Sequence, residues 1–330
     1  MLRGVCTVCV TLLVTTLAGC VSDQQVIAQA NDVHTQLEPQ VVTDPELDAY
    51  VQAVGDKIIA AARGMYESGE LEQFGVDASD WMFEDVQFHM VASPVTNAFT
   101  TGGRHVYMYT ALFEGCATED AFAAVVGHEF GHIIGRHVQN KMNTQYGLMA
   151  AAAGAGLLGA VLAEDGSRTE TAATVGGLAL VGGQVVGLQF GRDAEREADR
   201  LGFEFYIRAG YDPDQFDDFF AAMLEQQGGE AGGLQGFLSS HPQLSERIAT
   251  AQGWAAEVDR SRLQRYQAPP IADGREFASL QQQSRPLTQQ AAAASRSGSN
   301  TAATQALAIL HSFPACVGGL SDGVVPEDQQ

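Results

Sequence analysis

The sequence predicts an α+β fold that is mostly helical, with a small antiparallel sheet and two helices that carry the chemically informative residues. The main evidence is the pattern His-Glu-Phe-Gly-His inside an apolar run of helical period at residues 121–137. A second helix with several acidic residues begins near residue 191. Between residues 81 and 109, three short segments alternate apolar and polar side chains, as half-buried strands do.

The first 19 residues predict a lipoprotein signal peptide. Arg3 precedes an apolar run, and the segment Leu17-Ala18-Gly19-Cys20 resembles a bacterial lipobox. The resemblance implies cleavage before Cys20 and acylation of its sulfur, which would anchor the chain to a membrane. The residue after Cys20 is Val21, whereas lipoproteins retained in the inner membrane carry Asp at that position. We therefore expect the chain to be anchored in the outer membrane. The alternative is a secreted protein that happens to be cut before a cysteine.

The charge limits the classes of partner, and the cysteine count agrees with export. A net charge of −22 argues against nucleic-acid partners and against charge-driven binding of anionic lipid heads. Besides the signal peptide and Cys20, the chain contains only Cys116 and Cys316. In an oxidising compartment these two form either a disulfide or two unpaired thiols, and the sequence leaves both open.

The segments before the metal motif are predicted as follows. Residues 20–44 are polar with little pattern and are expected to be a tether, whereas Pro45 to Tyr66 keeps a helical period. Three strands are expected at 81–88, 93–99 and 105–109, the last two joined by a hairpin turn at Thr100–Gly103. Thr118 is expected to cap the helix that contains the histidine motif at 128–132, which we call the metal helix.

The metal helix brings together the first candidate ligands. His128 and His132 are four residues apart and share a helix face, so both imidazoles can reach one zinc ion. Glu129 lies beside them and can take a proton from a water at the metal. The alternative is two ordinary histidines on a helix. Glycines at 127, 131 and 135 cost helix stability, which indicates that another backbone packs closely along this face.

The second helix supplies the missing ligand. Glu195 and Asp199 share one face, and Glu195 is the candidate third zinc ligand. Asp199 would accept a hydrogen bond from the ring nitrogen of a ligand histidine that does not face the metal. The alternative is a solvated acidic face that pairs with neighbouring arginines.

The remaining segments are less informative. Residues 148–190 form two Gly/Ala-rich arms, either a buried helical hairpin or one that contacts a membrane or partner. His241, before Pro242, could donate to the oxyanion of a reaction intermediate or could be an ordinary capping or surface histidine. Residues 263–330 are rich in Gln, Ala and Ser, and we expect a largely disordered tail.

Several motifs together resemble those of the zinc metallopeptidases of the HtpX, BepA and LoiP type, which are gluzincins related to the CaaX prenyl proteases. The resemblance covers residues 45–255. The motifs that carry it are Asn97-Ala98-Phe99, the histidine motif at 128–132, Glu195 to Asp199, and Ser240-His241-Pro242 with Arg247.

The resemblance implies a gluzincin core over residues 45–262 with one zinc ion per chain. His128, His132 and Glu195 would be the zinc ligands, Glu129 the general base and Asp199 the support of a ligand. His241, and with it Arg247, would lie near the substrate. A substrate peptide would join the strand through Asn97, Ala98 and Phe99 as an extra strand.

The function expected from this resemblance is that of a lipid-anchored periplasmic zinc endopeptidase. It would act on extended segments of misfolded or misassembled envelope proteins. A latent or chaperone-like lipoprotein that binds clients with little turnover is the first alternative. A zinc hydrolase of non-peptide bonds, such as those of cell-wall material, is the second.

Overall fold

The computed structural model describes residues 20–147, 190–226 and 244–296. Its helices are α1 (Asp23–Leu37), α2 (Pro45–Glu67), α3 (Thr110–Gly115), α4 (Glu119–Ile134), α5 (Arg192–Arg208), α6 (Asp218–Gln226), α7 (Leu244–Glu257), α8 (Arg260–Leu263) and α9 (Gly274–Arg296). Residues 137–147 are also helical. The strands are β1 (Gln87–Val91), β2 (Ala98–Thr100) and β3 (His105–Tyr109). The mostly helical α+β fold is therefore confirmed.

The sheet is small, as predicted, but it is mixed and not antiparallel throughout. Its order is β1-β3-β2, with β3 antiparallel to β2 and parallel to β1. The predicted hairpin between β2 and β3 is present. The strand expected at 81–88 begins only at Gln87, because residues Asp80–Phe83 form a 3-10 helix. The strand expected at 93–99 is reduced to Ala98–Thr100.

The expectation of a tether at residues 20–44 is wrong. Residues 23–37 form α1, which begins at a capping box between Ser22 and Gln25. The buried positions of α1 are Val26, Ala30, Val33 and Leu37. Their helical spacing is clear once the helix is placed, but the polar residues between them hide it in the sequence. The folded core thus includes the residues that directly follow Cys20.

The tail expected from residue 263 is also partly wrong. Helix α9 covers residues 274–296, and its Phe277 and Leu280 belong to the hydrophobic core. Gln281 donates through Nε2 to the carbonyl oxygens of Phe113 and Cys116, both at 2.8 Å. Gln and Ala form helices readily, so a composition typical of disorder also suits a docked helix.

A buried carboxylate fixes the segment that leads into α9. Glu119 accepts hydrogen bonds from the backbone N–H groups of Ile271 and Ala272, both at 2.7 Å. It also accepts from the hydroxyls of Tyr211 at 3.1 Å and Tyr50 at 3.3 Å. Because Glu119 begins the metal helix, it ties the C-terminal segment to that helix.

Several sequence predictions lie outside the described residues. They concern the signal peptide at 1–19, the arms at 148–189, His241, Cys316 and the tail beyond residue 296. Cys116 is buried and its thiol donates to the Leu112 carbonyl oxygen, while Cys20 is exposed. Among the residues that are described, no helix is both long and apolar enough to cross a membrane.

Candidate metal centre

Helix α4 positions the two histidines. Thr118 caps it by accepting from the backbone N–H of Ala121 at 3.2 Å, as predicted. The helix then runs unbroken to Ile134 and is almost entirely buried. His128 and His132 are 1% and 0% exposed, and their Nε2 atoms are 3.1 Å apart. The four-residue spacing therefore brings both imidazoles to one buried point.

Helix α5 brings the carboxylate of Glu195 to the same point. Its Oε2 is 3.6 Å from Nε2 of His128, and its Oε1 is 3.5 Å from Nε2 of His132. Glu195 is 3% exposed. Ligand atoms of the three residues all lie within 4.8 Å of one another, so they could hold a single metal ion.

Two glycines allow the helices to come this close. A Cβ added at Gly131 would be 2.6 Å from the carbonyl oxygen of Ala198, and one at Gly127 would be 3.1 Å from that of Gly202. The close approach expected along the glycine face is therefore present at these two positions. Gly135 differs, because α4 ends at Ile134 and Gly135 is the residue that follows it.

The carboxylate of Asp199 lies against the ring of His128. Its Oδ1 is 2.8 Å from Nδ1 of His128. An ionised carboxylate can only accept, so Nδ1 carries the proton and Nε2 presents its lone pair to the centre. This tautomer, with two imidazoles and one carboxylate, fits the ligand set of a hydrolytic zinc site.

Arg247 of α7 lies behind the carboxylates. It donates to Asp199 twice, through Nε at 2.7 Å and through one terminal nitrogen at 2.6 Å, and its other terminal nitrogen is 3.3 Å from Oε2 of Glu195. Burial alone would raise the pKa of Asp199, but Arg247 and His128 outweigh it and hold that pKa well below its usual range. Asp199 therefore stays ionised. Arg247 was expected near the substrate; its contacts in the structure include these carboxylates, Nδ1 of His128 at 3.3 Å and the ring of Phe220.

His132 contacts a histidine that the motif itself does not contain. Its Nδ1 is 2.8 Å from Nδ1 of His137, and Nε2 of His137 is 3.5 Å from Oε2 of Glu197. Phe190 stacks on the His132 ring at 4.2 Å between centroids. The chain reverses after Gly135 through Arg136, whose φ is +53°, and this turn brings His137 back to the helix. The feature of the sequence that could have indicated this contact is the presence of a histidine five residues after His132.

The remaining predicted site residues lie as follows. Glu129 is 1% exposed and follows His128 directly on α4. Strand β2, with Ala98 and Phe99, lies at one edge of the sheet and packs against α4. Asn97 precedes it and accepts from the backbone N–H of Tyr109 at 3.0 Å. All three residues of this segment are buried in the part of the chain that the structure describes.

Comparison with known proteins gives the following matches. A model of peptidase family M48 matches residues 67–255, more than half of the chain. The "Beta-barrel assembly-enhancing protease" of Yersinia pestis is 27% identical over 218 residues, which cover 66% of this chain and 41% of that protein. Its namesake in Escherichia coli K12 is 26% identical over 218 residues with the same coverage.

A mitochondrial relative matches over a similar length. The "Mitochondrial metalloendopeptidase OMA1" of Saccharomyces cerevisiae is 28% identical over 218 residues, covering 64% of this chain and 57% of that protein. The chain therefore matches less than two thirds of the length of each of these relatives.

Proposed function

Because the chain belongs to peptidase family M48, we propose that it is a zinc endopeptidase of the bacterial cell envelope. The observation that carries the proposal is the buried convergence of His128, His132 and Glu195, with Glu129 beside them. In this proposal the first three residues hold one zinc ion. Asp199, fixed by Arg247, keeps His128 in the tautomer that a metal ligand needs.

Glu129 is the proposed general base. Zinc held by the three ligands would polarise the scissile carbonyl and acidify the attacking water. Glu129 accepts the proton of that water and passes it to the leaving amine. A proposed role for His241 is to donate a hydrogen bond to the oxyanion that forms.

The proposed substrates are extended segments of envelope proteins. We propose that a peptide adds as a further strand along Asn97, Ala98 and Phe99, next to the metal helix against which β2 packs. The names of the Yersinia and Escherichia relatives concern β-barrel assembly. By extension, we propose that misfolded or misassembled envelope proteins are cut here.

The proposed location is the periplasm, with a lipid anchor on Cys20 in the outer membrane. Cys20 is exposed, while Val21 is already buried and its backbone N–H donates to Asn143. The anchor would therefore hold the folded core directly at the membrane surface. A Cys20→Ser variant should move from the membrane fraction to the soluble fraction. A variant that stays with the membrane contradicts the anchor.

Casein cleavage with zinc analysis tests the activity. The full chain, purified in detergent, is compared with Glu129→Gln, Glu195→Gln and the control Asp193→Asn, which changes a fully exposed acid on the same helix as Glu195. We expect Glu129→Gln to keep the zinc content of the wild type and to lose cleavage. Glu195→Gln should contain one zinc ion fewer per chain, and Asp193→Asn should resemble the wild type.

Two results would contradict the proposal. Undiminished cleavage by Glu129→Gln would show that Glu129 is not the general base. Unchanged zinc content in Glu195→Gln would show that Glu195 is not a zinc ligand. A wild type that binds zinc and client proteins without cutting them would favour the chaperone-like alternative. Cleavage of muropeptides but not of proteins would favour the non-peptide hydrolase.

A further inference from the structure

Three histidines outside the metal centre meet on one face of the sheet. His89 lies on β1 and His105 on β3, and the register pairs Gln87 with His105 and His89 with Tyr107. Since alternate residues of a strand share a face, His89, His105 and Tyr107 point to the same side. Helix α1 covers that side and places His34 over them. We call His34, His89 and His105 the three-histidine cluster.

The nitrogen atoms of the cluster converge. Nε2 of His89 is 2.9 Å from Nδ1 of His105, and one nitrogen from each of the three residues lies within 4.8 Å of the others. His34 stacks on both rings, with its centroid 4.3 Å from that of His105 and 4.5 Å from that of His89, and its ring would turn to direct a lone pair at a shared ion. The candidate ligand atoms at the centre on α4 and α5 also lie within 4.8 Å of one another.

The cluster is electrically suited to bind a cation. Burial, together with the neighbouring imidazoles, lowers the pKa of His89 to about 3 and that of His105 to about 4. Burial also lowers the pKa of His34, against a smaller opposing effect of Glu38. All three rings are therefore neutral at pH 7, and the neutral imidazole is the form that ligates a metal.

Access and surroundings distinguish the cluster from ordinary core histidines. His89 and His105 are 8% and 7% exposed, whereas His34 is half-buried and opens the cluster to solvent on one side. Tyr107 places its hydroxyl 3.1 Å from Nδ1 of His34, and Asn31 places Oδ1 3.1 Å from Nε2 of His105. Such partners fix ring orientation around a metal.

We propose that the three-histidine cluster is a second metal site, which takes a divalent transition metal ion such as zinc. Three imidazoles are suitable ligands for zinc, and they leave the fourth tetrahedral position to water on the open side at His34. Magnesium and calcium prefer oxygen ligands and are excluded. The bound ion would join α1, the first helix after Cys20, to β1 and β3. The site shares no residue with the centre on α4 and α5.

Zinc binding to the full chain in detergent, without an affinity tag, tests this proposal. The Glu195→Gln background is chosen to empty the other centre. Whether or not it does so, the loss of one zinc ion when His34 is changed reports on the three-histidine cluster alone, so failure of this proposal and failure of the proposed function are distinguishable. In this background we expect one zinc ion per chain after chelation and reloading, and a higher melting temperature when zinc is present. Magnesium at the same concentration should change neither quantity.

Adding His34→Ala should weaken zinc binding at least tenfold and abolish the rise in melting temperature. The matched control is Thr35→Ala, the next residue of α1, which is exposed and should leave binding unchanged. His34→Gln, which keeps a polar partner for Tyr107, guards against a folding defect and should lose zinc in the same way. The proposal is overturned if the Glu195→Gln protein binds no zinc, or if both His34 variants bind it as tightly as that background does.

Discussion

Gly131→Ala tests whether the close contact between α4 and α5 holds the metal centre together. The added Cβ would be 2.6 Å from the carbonyl oxygen of Ala198, where ordinary contacts begin at about 3.4 Å. The obstacle is backbone of the facing helix and cannot rotate away. Relief therefore requires the two helices to separate by several tenths of an ångström, and one carries His128 and His132 while the other carries Glu195.

A second glycine provides the matched control. Gly64 also lies in a helix, α2, and a Cβ added there would meet nothing within 4 Å. Both substitutions gain up to about 1 kcal/mol from the helix preference of alanine over glycine. Overpacking in a dense interior costs about 1–3 kcal/mol. The free energies of unfolding of the two variants should therefore differ by about 1–3 kcal/mol, with Gly131→Ala the less stable.

Urea unfolding and zinc titration measure the effect. We expect Gly64→Ala to be slightly more stable than the wild type, with the same zinc affinity and the same casein cleavage. Gly131→Ala should bind zinc more weakly and cut more slowly, because its ligands are displaced. If the two variants are equally stable and Gly131→Ala retains full zinc affinity, then close backbone packing does not position the site.

Three further changes test other parts of the structure. Arg247→Met removes the cation beside the buried carboxylate of Asp199 and should lower the free energy of unfolding, measured in urea, by about 3–5 kcal/mol. The control Arg260→Met breaks a surface ion pair with Asp214 and should lower it by less than about 1 kcal/mol. Glu119→Gln places the amide N–H groups of the new side chain against the backbone N–H groups of Ile271 and Ala272, which are also donors. This change should lower the free energy of unfolding by at least about 2 kcal/mol and expose the segment before α9 to limited proteolysis. In metal-free protein, the free energy of unfolding should fall as pH falls from 6.5 to about 4, because the unfolded chain binds protons that the buried histidines of the cluster do not; His89→Gln should flatten this slope.

Each of these expectations has a result that would contradict it. Equal losses for the two arginine variants would show that the buried ion pair is no stronger than the surface one. A Glu119→Gln protein as stable and protease-resistant as the wild type would mean that other contacts hold the C-terminal segment. An identical pH slope in wild type and His89→Gln would place the titrating groups elsewhere.

The sequence alone predicted the features that depend on short spacing. His128 and His132 share a face because of the helical repeat, and Thr118 caps the helix through its own side chain. The match to family M48 confirms the metallopeptidase family expected from the motifs. The hairpin of β2 and β3 also followed from a local turn signal.

Only the tertiary structure decided which polar segments fold and which distant residues meet. Helices α1 and α9 have compositions that suit a tether or a tail, and they become helices because a few apolar side chains, such as Val26 and Phe277, find places in the core. The pairing of Arg247 with Asp199 and the convergence of the three-histidine cluster join segments far apart in the chain. Periodicity describes neighbours within one element, whereas contacts between elements depend on how the whole chain packs. The sequence by itself therefore determined the metal motif, and packing alone determined what surrounds it.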